Sequence, residues 1–156
     1  MSKVYKQINL NKAIKTAFEF DTKILVEEFI EGREVECAVL DKNDNIETSV
    51  TREIRPKADF YNYETKYTDG HADLIIPAIF DQKISLELQR QAKIAFKALG
   101  CKDLARVDFF LTVDDQIYIN EINTLPGFTN LSMYPMLWEA TGLNYSLLLD
   151  KLISFV

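Results

Sequence analysis

Residues 104–123 read LARVDFFLTVDDQIYINEIN, in which two apolar, β-rich segments flank the acidic pair Asp114 and Asp115. Branched and aromatic residues on either side of a short polar turn are typical of a β-hairpin. We therefore predict two neighbouring strands, at residues 104–113 and 116–122.

The hairpin carries four polar side chains in an otherwise apolar segment. Residues i and i+2 of a strand share a face, so Arg106 and Asp108 point in one direction, and Glu121 and Asn123 also share one direction. If the two faces coincide, two carboxylates, an amide oxygen and a guanidinium converge. Such oxygen ligands suit Mg²⁺ or Mn²⁺, and an arginine complements developing negative charge. The alternative is a hairpin whose charged residues simply face water.

The rest of the chain alternates between strand and helix patterns. Helical spacing of apolar residues predicts a helix over Leu10–Phe18, with Asn9 as its N-cap, a long helix at 84–99 ended by Gly100, and a last helix at 144–155. Strands are predicted at 23–30, 34–40, 46–54 and 74–78. Charged and apolar residues alternate in 34–40, which is typical of a half-buried strand. The aromatic and charged segment 56–70 is predicted as a long surface loop. These elements indicate an α+β domain.

Composition excludes several classes of function. The chain has 156 residues, 47% of them hydrophobic, and a net charge of −6 with its basic residues scattered, which argues against a nucleic-acid groove. One His and two Cys cannot supply a paired-histidine mechanism, a disulfide framework or a zinc site of their own. No apolar run is long enough for a membrane span, and the N-terminus lacks a signal core. We therefore expect a soluble, cytoplasmic, globular protein.

Five segments resemble one family in both order and spacing: VEEF…GREVECAVL, FYNYETKY, ARVDFF, INEINTLPGFTNLSMYP and LLLDKLI. They are similar to the C-terminal part of D-alanine–D-alanine ligases, which are ATP-grasp enzymes. The resemblance implies an ATP-grasp C-terminal domain at 33–156, with a mixed or antiparallel sheet and flanking helices, preceded at 1–32 by the remainder of the central ATP-grasp subdomain. It also implies that the family's first D-alanine site and half of its phosphate clamp precede residue 1, so the chain is expected to be a fragment.

The resemblance also implies a chemistry for the hairpin and the loop after it. Family members phosphorylate one D-alanine with ATP, and the amine of a second D-alanine attacks the acyl phosphate. Roles in this chemistry fall on seven residues here: Asp108, Glu121 and Asn123 as ligands of two Mg²⁺ or Mn²⁺ ions, Arg106 and the Gly127 amide as the oxyanion hole, and Ser132 with the Met133 amide on the carboxylate of the second D-alanine.

Further positions correspond to the family's ATP contacts. They are Glu27 with backbone groups of Glu28, Phe29 and Ile30 at the adenine edge, Glu34 on the ribose, Phe60 against the adenine, Lys66 on the phosphates, and Asn120. Tyr67 corresponds to the loop tyrosine that helps to close the site. Without the resemblance, Glu27 and Glu34 read as charges on an exposed sheet face, and Lys66 and Tyr67 as part of a solvated loop.

The implied partners are small molecules, ATP and D-alanine, with no nucleic acid or membrane, and the full-length family member is expected to be a homodimer. Two alternatives stay open: a related ligase such as a D-alanine–D-serine ligase, or a non-catalytic ATP-binding module. Tyr67 argues against D-lactate variants, because the family places a histidine at that position in them.

Overall fold

The computed structural model describes residues 2–42, 45–56, 72–129 and 131–154. The chain divides into two compact units, Met1–Ile30 and Glu31–Val156. In the first unit a short 3-10 helix, Gln7–Asn9, leads into α1, Leu10–Phe18, which has the predicted bounds. Asn9 occupies the N-cap position, although its side chain makes no capping hydrogen bond.

The strand predicted at 23–30 is absent, and that prediction is wrong. These residues adopt no regular secondary structure, and Leu25, Val26 and Phe29 are exposed. A strand exists only where its backbone groups pair with a neighbouring strand, and the described part of the first unit contains none. The β-rich composition of the segment is therefore insufficient to form a strand there.

The second unit contains one antiparallel five-stranded sheet, which confirms the α+β prediction. The strand order is β3-β2-β1-β4-β5. The elements, in chain order, are β1 Arg33–Lys42, β2 Asn45–Pro56, β3 Ala72–Ile75, α2 Gln82–Ala98, β4 Leu104–Leu111, β5 Ile117–Asn123, α3 Met133–Ala140 and α4 Tyr145–Ile153. The predicted hairpin is present as β4 and β5, so the four polar residues lie on paired strands.

Helix α2 covers one face of the sheet. The Asp81 carboxylate caps it by accepting a hydrogen bond of 2.8 Å from the Lys83 backbone N–H. Gly100, at φ +64°, ends it in the left-handed conformation that favours glycine, as predicted. Its apolar side joins the sheet in the larger core cluster, which comprises Val35, Cys37, Val39, Leu88, Ala92, Phe96, Ala105, Val107, Phe109 and Leu111.

Helices α3 and α4 cover part of the opposite face. Their residues Tyr134, Leu137, Trp138 and Leu148 pack with Ala38 and Leu40 of the sheet in a second core cluster. The sequence analysis did not predict α3, because its apolar residues follow no helical period and Pro135 lies inside it. Proline is compatible with a first helical turn, since the N–H groups there have no partner within the helix.

Strand β1 is buried on both faces from Val35 to Leu40, so the prediction of a half-buried strand is wrong. The cause is its central position: α2 covers one face, while α3, α4 and further side chains of the sheet cover the other. Gly32 precedes β1 where the backbones of β1 and β4 approach closely. A Cβ atom on Gly32 would lie 2.7 Å from the Leu111 carbonyl oxygen, so the approach requires glycine.

Candidate active site

A row of charged side chains crosses the sheet on the face opposite α2. The strand register pairs Arg52 of β2 with Glu36 of β1, Glu36 with Asp108 of β4, and Asp108 with Glu121 of β5. Directly paired residues point to the same side of a sheet, so the four form one transverse line. We call Arg52, Glu36, Asp108 and Glu121 the polar row.

The remaining two predicted hairpin residues lie next to the polar row. The register pairs Arg106 with Asn123, two positions from the pair of Asp108 and Glu121, so all four share one face. The structure therefore brings together the side chains that the sequence predicted to converge.

A β-bulge in β5 makes this arrangement possible. Asp108 pairs with Glu121, but Phe109 pairs with Ile119, which leaves Asn120 as an extra residue in the strand. In a regular strand, Ile119 and Glu121 would share a face. The bulge places Ile119 on the α2 side of the sheet, although it stays exposed there, and Glu121 on the side of the polar row. Asn120, predicted to contact ATP, is exposed at this bulge.

Arg106 and Asp108 form a two-pronged ion pair. Nε and Nη2 of Arg106 donate to the two carboxylate oxygens of Asp108, each at 2.7 Å. Burial lowers the pKa of Arg106, but the hydrogen bonds to Asp108 and the negative charges of Glu36, Asp108 and Glu121 outweigh it, so the pKa is raised overall. The guanidinium therefore stays charged.

Glu36 and Arg52 form a second ion pair that the sequence analysis missed. Arg52 Nη2 lies 2.6 Å from Glu36 Oε2, and the two side chains are 2% and 5% exposed. The second oxygen, Glu36 Oε1, lies 3.6 Å from Arg106 Nε. Burial lowers the pKa of Arg52, and the charge of Glu36 opposes that shift. The only signal in the sequence was the alternation of β1, which we assigned to a solvent-facing side.

The loop after β5 brings together the residues predicted to bind the second substrate. Ser132 Oγ accepts a hydrogen bond of 2.9 Å from the Thr129 N–H, and a Cβ atom on Gly127 would lie 3.1 Å from Ser132 Oγ. Ser132 is the N-cap of α3, but its side chain makes no capping hydrogen bond. Met133 begins the helix, and its sulfur accepts a hydrogen bond from Arg52 Nη1, which connects this loop to the polar row.

The hard-oxygen donor set fits a divalent cation. Asp108 and Glu121 supply carboxylates, and Asn123 supplies an amide oxygen that also accepts a hydrogen bond of 3.2 Å from the Leu125 N–H. An amide oxygen has two lone pairs, so this bond leaves one for a ligand. The described residues contain no group of three His, Cys, Asp or Glu side chains arranged for a metal.

The other predicted ATP contacts are divided among the second unit, the first unit and residues outside the described ranges. Glu34 is half-buried and borders a depression of about 570 Å³, which is also lined by Gly32, Arg33, Glu53, Ile54 and Arg55. Glu27, Glu28, Phe29 and Ile30 belong to the first unit, where the Lys3 ammonium lies 3.9 Å from the centre of the Phe29 ring. Phe60, Lys66 and Tyr67 lie outside the described residues, as does the predicted loop except for Pro56.

This chain is similar in sequence and in fold to known proteins. Residues 1–154 match the family model described as "D-ala D-ala ligase C-terminus". The chain belongs to the D-alanine–D-alanine ligase C-terminal family. It is 50% identical over 153 residues to a D-alanine–D-alanine ligase of Halothermothrix orenii and 55% identical over 152 residues to one of Oceanobacillus iheyensis. These alignments cover 98% and 97% of this chain but only 44% and 41% of the relatives.

Solved structures of the same family have the same fold. The VanG D-Ala:D-Ser ligase of Enterococcus faecalis superposes with a TM-score of 0.87 at 42% identity, over 99% of this chain and 45% of that one. A D-alanine–D-alanine ligase of Bacillus anthracis, solved in complex with ATP, gives a TM-score of 0.81 at 32% identity, over 97% and 48%. Among the described residues, no helix has the length and apolar character required to cross a membrane.

Proposed function

We propose that this chain supplies the metal-binding and oxyanion-stabilising part of an ATP-dependent ligase that joins two D-alanines through an acyl phosphate. The observation that carries the proposal is the register of β4 and β5, which pairs Asp108 with Glu121 and Arg106 with Asn123 on one face. Family membership supports the choice of reaction.

In this proposal Asp108, Glu121 and Asn123 hold one or two Mg²⁺ or Mn²⁺ ions. When bound, such ions neutralise the charge of the ATP phosphates. Arg106 is oriented by its two hydrogen bonds to Asp108, and with the Gly127 amide it stabilises the negative oxygen of the tetrahedral intermediate. Because this guanidinium is largely removed from water, its charge acts with little screening.

The start of α3 suits a substrate carboxylate. The amide of Met133 and the hydroxyl of Ser132 lie at the start of α3, where the helix dipole favours an anion. We assign the carboxylate of the second D-alanine to this site. On the ATP side we assign Glu34 to the ribose.

The other ATP contacts in the proposal follow the family resemblance. Glu27 and the backbone of Glu28, Phe29 and Ile30 contact the adenine edge, Phe60 packs against the ring, Lys66 contacts the phosphates, Asn120 lies at the nucleotide side of β5, and Tyr67 helps to close the site. The product is a dipeptide for peptidoglycan synthesis in the cytoplasm, and the complete ligase is a homodimer.

A second candidate substrate is supported by one comparison. The D-Ala:D-Ser ligase of Enterococcus faecalis has the same fold over 99% of this chain, so D-serine is a candidate for the second amino acid. Competition between D-alanine and D-serine in a dipeptide assay separates the two. A non-catalytic ATP-binding module would bind Mg-ATP and form neither product.

Calorimetric titration of the chain with Mg-ATP tests the proposal. We expect weak, saturable binding that Glu121→Gln lowers at least about tenfold, because it removes a carboxylate ligand. Glu47→Gln is the matched control: it also removes one strand carboxylate, but that carboxylate pairs with Lys151, outside the polar row. Binding that is the same in wild type and Glu121→Gln would refute the metal site.

Dipeptide synthesis tests the complete reaction. We expect no D-alanyl-D-alanine from this chain alone, because it matches only 44% of the length of the Halothermothrix ligase. Adding the first part of the Halothermothrix ligase as a separate polypeptide is expected to restore some synthesis. Synthesis by the chain alone that Glu121→Gln abolishes would show that the first substrate site lies within these residues.

A further inference from the structure

Arg106 lies between two carboxylates, and only one of them belongs to the predicted metal ligands. Its Nε is 2.7 Å from Asp108 Oδ1 and 3.6 Å from Glu36 Oε1. We propose that Glu36 is a positioning residue, which takes over the Arg106 guanidinium when Asp108 binds a divalent cation. This inference rests on the proposed function, in which Asp108 is a metal ligand and Arg106 stabilises an oxyanion.

Arg106 needs a second hydrogen-bond acceptor because Asp108 is also a metal ligand in the proposed function. Both of its oxygens already accept hydrogen bonds from Arg106. A divalent cation at Asp108 withdraws electron density from those oxygens and repels the nearby guanidinium, so the Arg106–Asp108 bond weakens at the moment when Arg106 has to be in place. Without another acceptor, Arg106 would lose its fixed orientation.

Glu36 has the geometry for this role. Its Oε2 is bound by Arg52, whereas its Oε1 faces Arg106 at a distance that is within ion-pair range but longer than a hydrogen bond. A small rotation of the guanidinium converts this contact into a hydrogen bond. Because β1 and β4 are paired at Glu36 and Asp108, the sheet fixes both acceptors on the face that carries Arg106.

Arg52 is the buried counter-charge of Glu36. A buried carboxylate destabilises a fold unless a cation lies beside it, and Arg52 supplies one at 2.6 Å from this side chain, which is 5% exposed. With Arg52, Glu36, Arg106 and Asp108 the charges alternate in sign across the sheet. The ion pair with Arg52 therefore fixes Glu36 beside Arg106, whose Nε lies 3.6 Å from Glu36 Oε1.

Side-chain NMR of the ¹⁵N-labelled chain tests the proposal during titration with MgCl₂, with the Arg106 Nε–H signal assigned by its loss in Arg106→Lys. In the wild type we expect the signal to shift with Mg²⁺ and its exchange with water to stay slow. In Glu36→Gln we expect slow exchange without Mg²⁺, since Asp108 still holds Arg106, and exchange about tenfold faster at saturating Mg²⁺. Glu47→Gln is expected to behave as the wild type.

A second variant keeps the test valid if Glu36→Gln does not fold. The double variant Glu36→Gln, Arg52→Met removes both members of the buried pair, leaves no unpaired charge, and is expected to show the same loss of Arg106 protection in Mg²⁺. The proposal would be overturned if exchange of the Arg106 Nε–H with water stays slow in the folded variants at saturating Mg²⁺. It would also be overturned if the wild-type Arg106 signal does not shift when Mg²⁺ binds.

Mn²⁺ binding, followed by electron paramagnetic resonance, distinguishes failure of this inference from failure of the metal site. Binding that Glu121→Gln removes, together with Arg106 protection that Glu36→Gln leaves intact, refutes the role of Glu36 alone. Absence of saturable Mn²⁺ binding in the wild type refutes the metal site and the role of Glu36 together.

Discussion

Replacing one member of the buried Arg52–Glu36 ion pair should destabilise the fold far more than replacing both members. Glu36→Gln leaves the Arg52 guanidinium, 2% exposed, with no carboxylate as its direct partner among the described residues. An uncompensated buried charge of this kind costs about 3–5 kcal/mol. Arg52→Met should cost less, about 1–3 kcal/mol, because Glu36 still faces Arg106 at 3.6 Å.

The double variant should recover most of the loss. With both charges gone and methionine filling the space beside Met133, the free energy of unfolding should lie within about 1 kcal/mol of the wild type. The two substitutions would then be coupled by about 3 kcal/mol or more, which is large for neighbouring residues.

Urea unfolding followed by tryptophan fluorescence measures these values. Trp138 is the chain's single tryptophan and is 2% exposed, so its emission reports on the second unit. We expect lower midpoints at an unchanged m-value. Additive losses in the double variant, or a larger loss for Arg52→Met than for Glu36→Gln, would contradict the view that Glu36 serves two arginines.

Three further changes test the sheet and its supports by the same assay. Hydrogen bonds from two arginines lower the pKa of Glu53 below its usual 4.5, although burial opposes the shift. The ionised carboxylate therefore stabilises the fold above about pH 4.5, and this stabilisation is lost as the pH falls through the lower pKa of the folded state. Glu53→Gln should flatten the loss of stability between about pH 6 and pH 3, and an unchanged pH profile would refute this. Gly32→Ala should cost about 1–3 kcal/mol, because the new Cβ meets the Leu111 carbonyl; a neutral result would show that the strands can move apart. Tyr134→Phe should cost about 1 kcal/mol, since it removes the buried hydrogen bond to the Val39 carbonyl, and no loss would mean that the carbonyl finds another donor.

Local pattern was sufficient to predict most of the second unit. The hairpin of β4 and β5 and the helix α2 follow from apolar spacing and from short-range signals such as Gly100, whose effect depends only on adjacent residues. The same reasoning failed for residues 23–30, where a β-rich segment has no neighbouring strand in the described part of its unit. It failed for α3 as well, because a helix whose residues are mostly apolar has no period to detect.

The convergence of Asp108 and Glu121 was predicted for a reason that was only partly correct. Alternation alone would place Ile119 and Glu121 on the same side of the sheet. The bulge at Asn120 places them on opposite sides, and nothing in a single sequence marks which residue of a strand is extra. The position of the bulge is visible only from the pairing of the two strands.

The roles of Glu36 and Arg52 depend on register in the same way, and more strongly. Considered within their own strands, Glu36 and Arg52 are charged residues in a strand pattern. Their burial follows only when β1 is paired with β2 and with β4. Pairing then places an acidic residue between Arg52 and Arg106, so that each buried charge has a neighbour of opposite sign. A buried charge is tolerable only with such neighbours. The sheet's register, rather than any single motif, therefore determines that this face can hold charged groups out of water beside the start of α3, and charged groups held in this way are what a site for phosphoryl and acyl transfer requires.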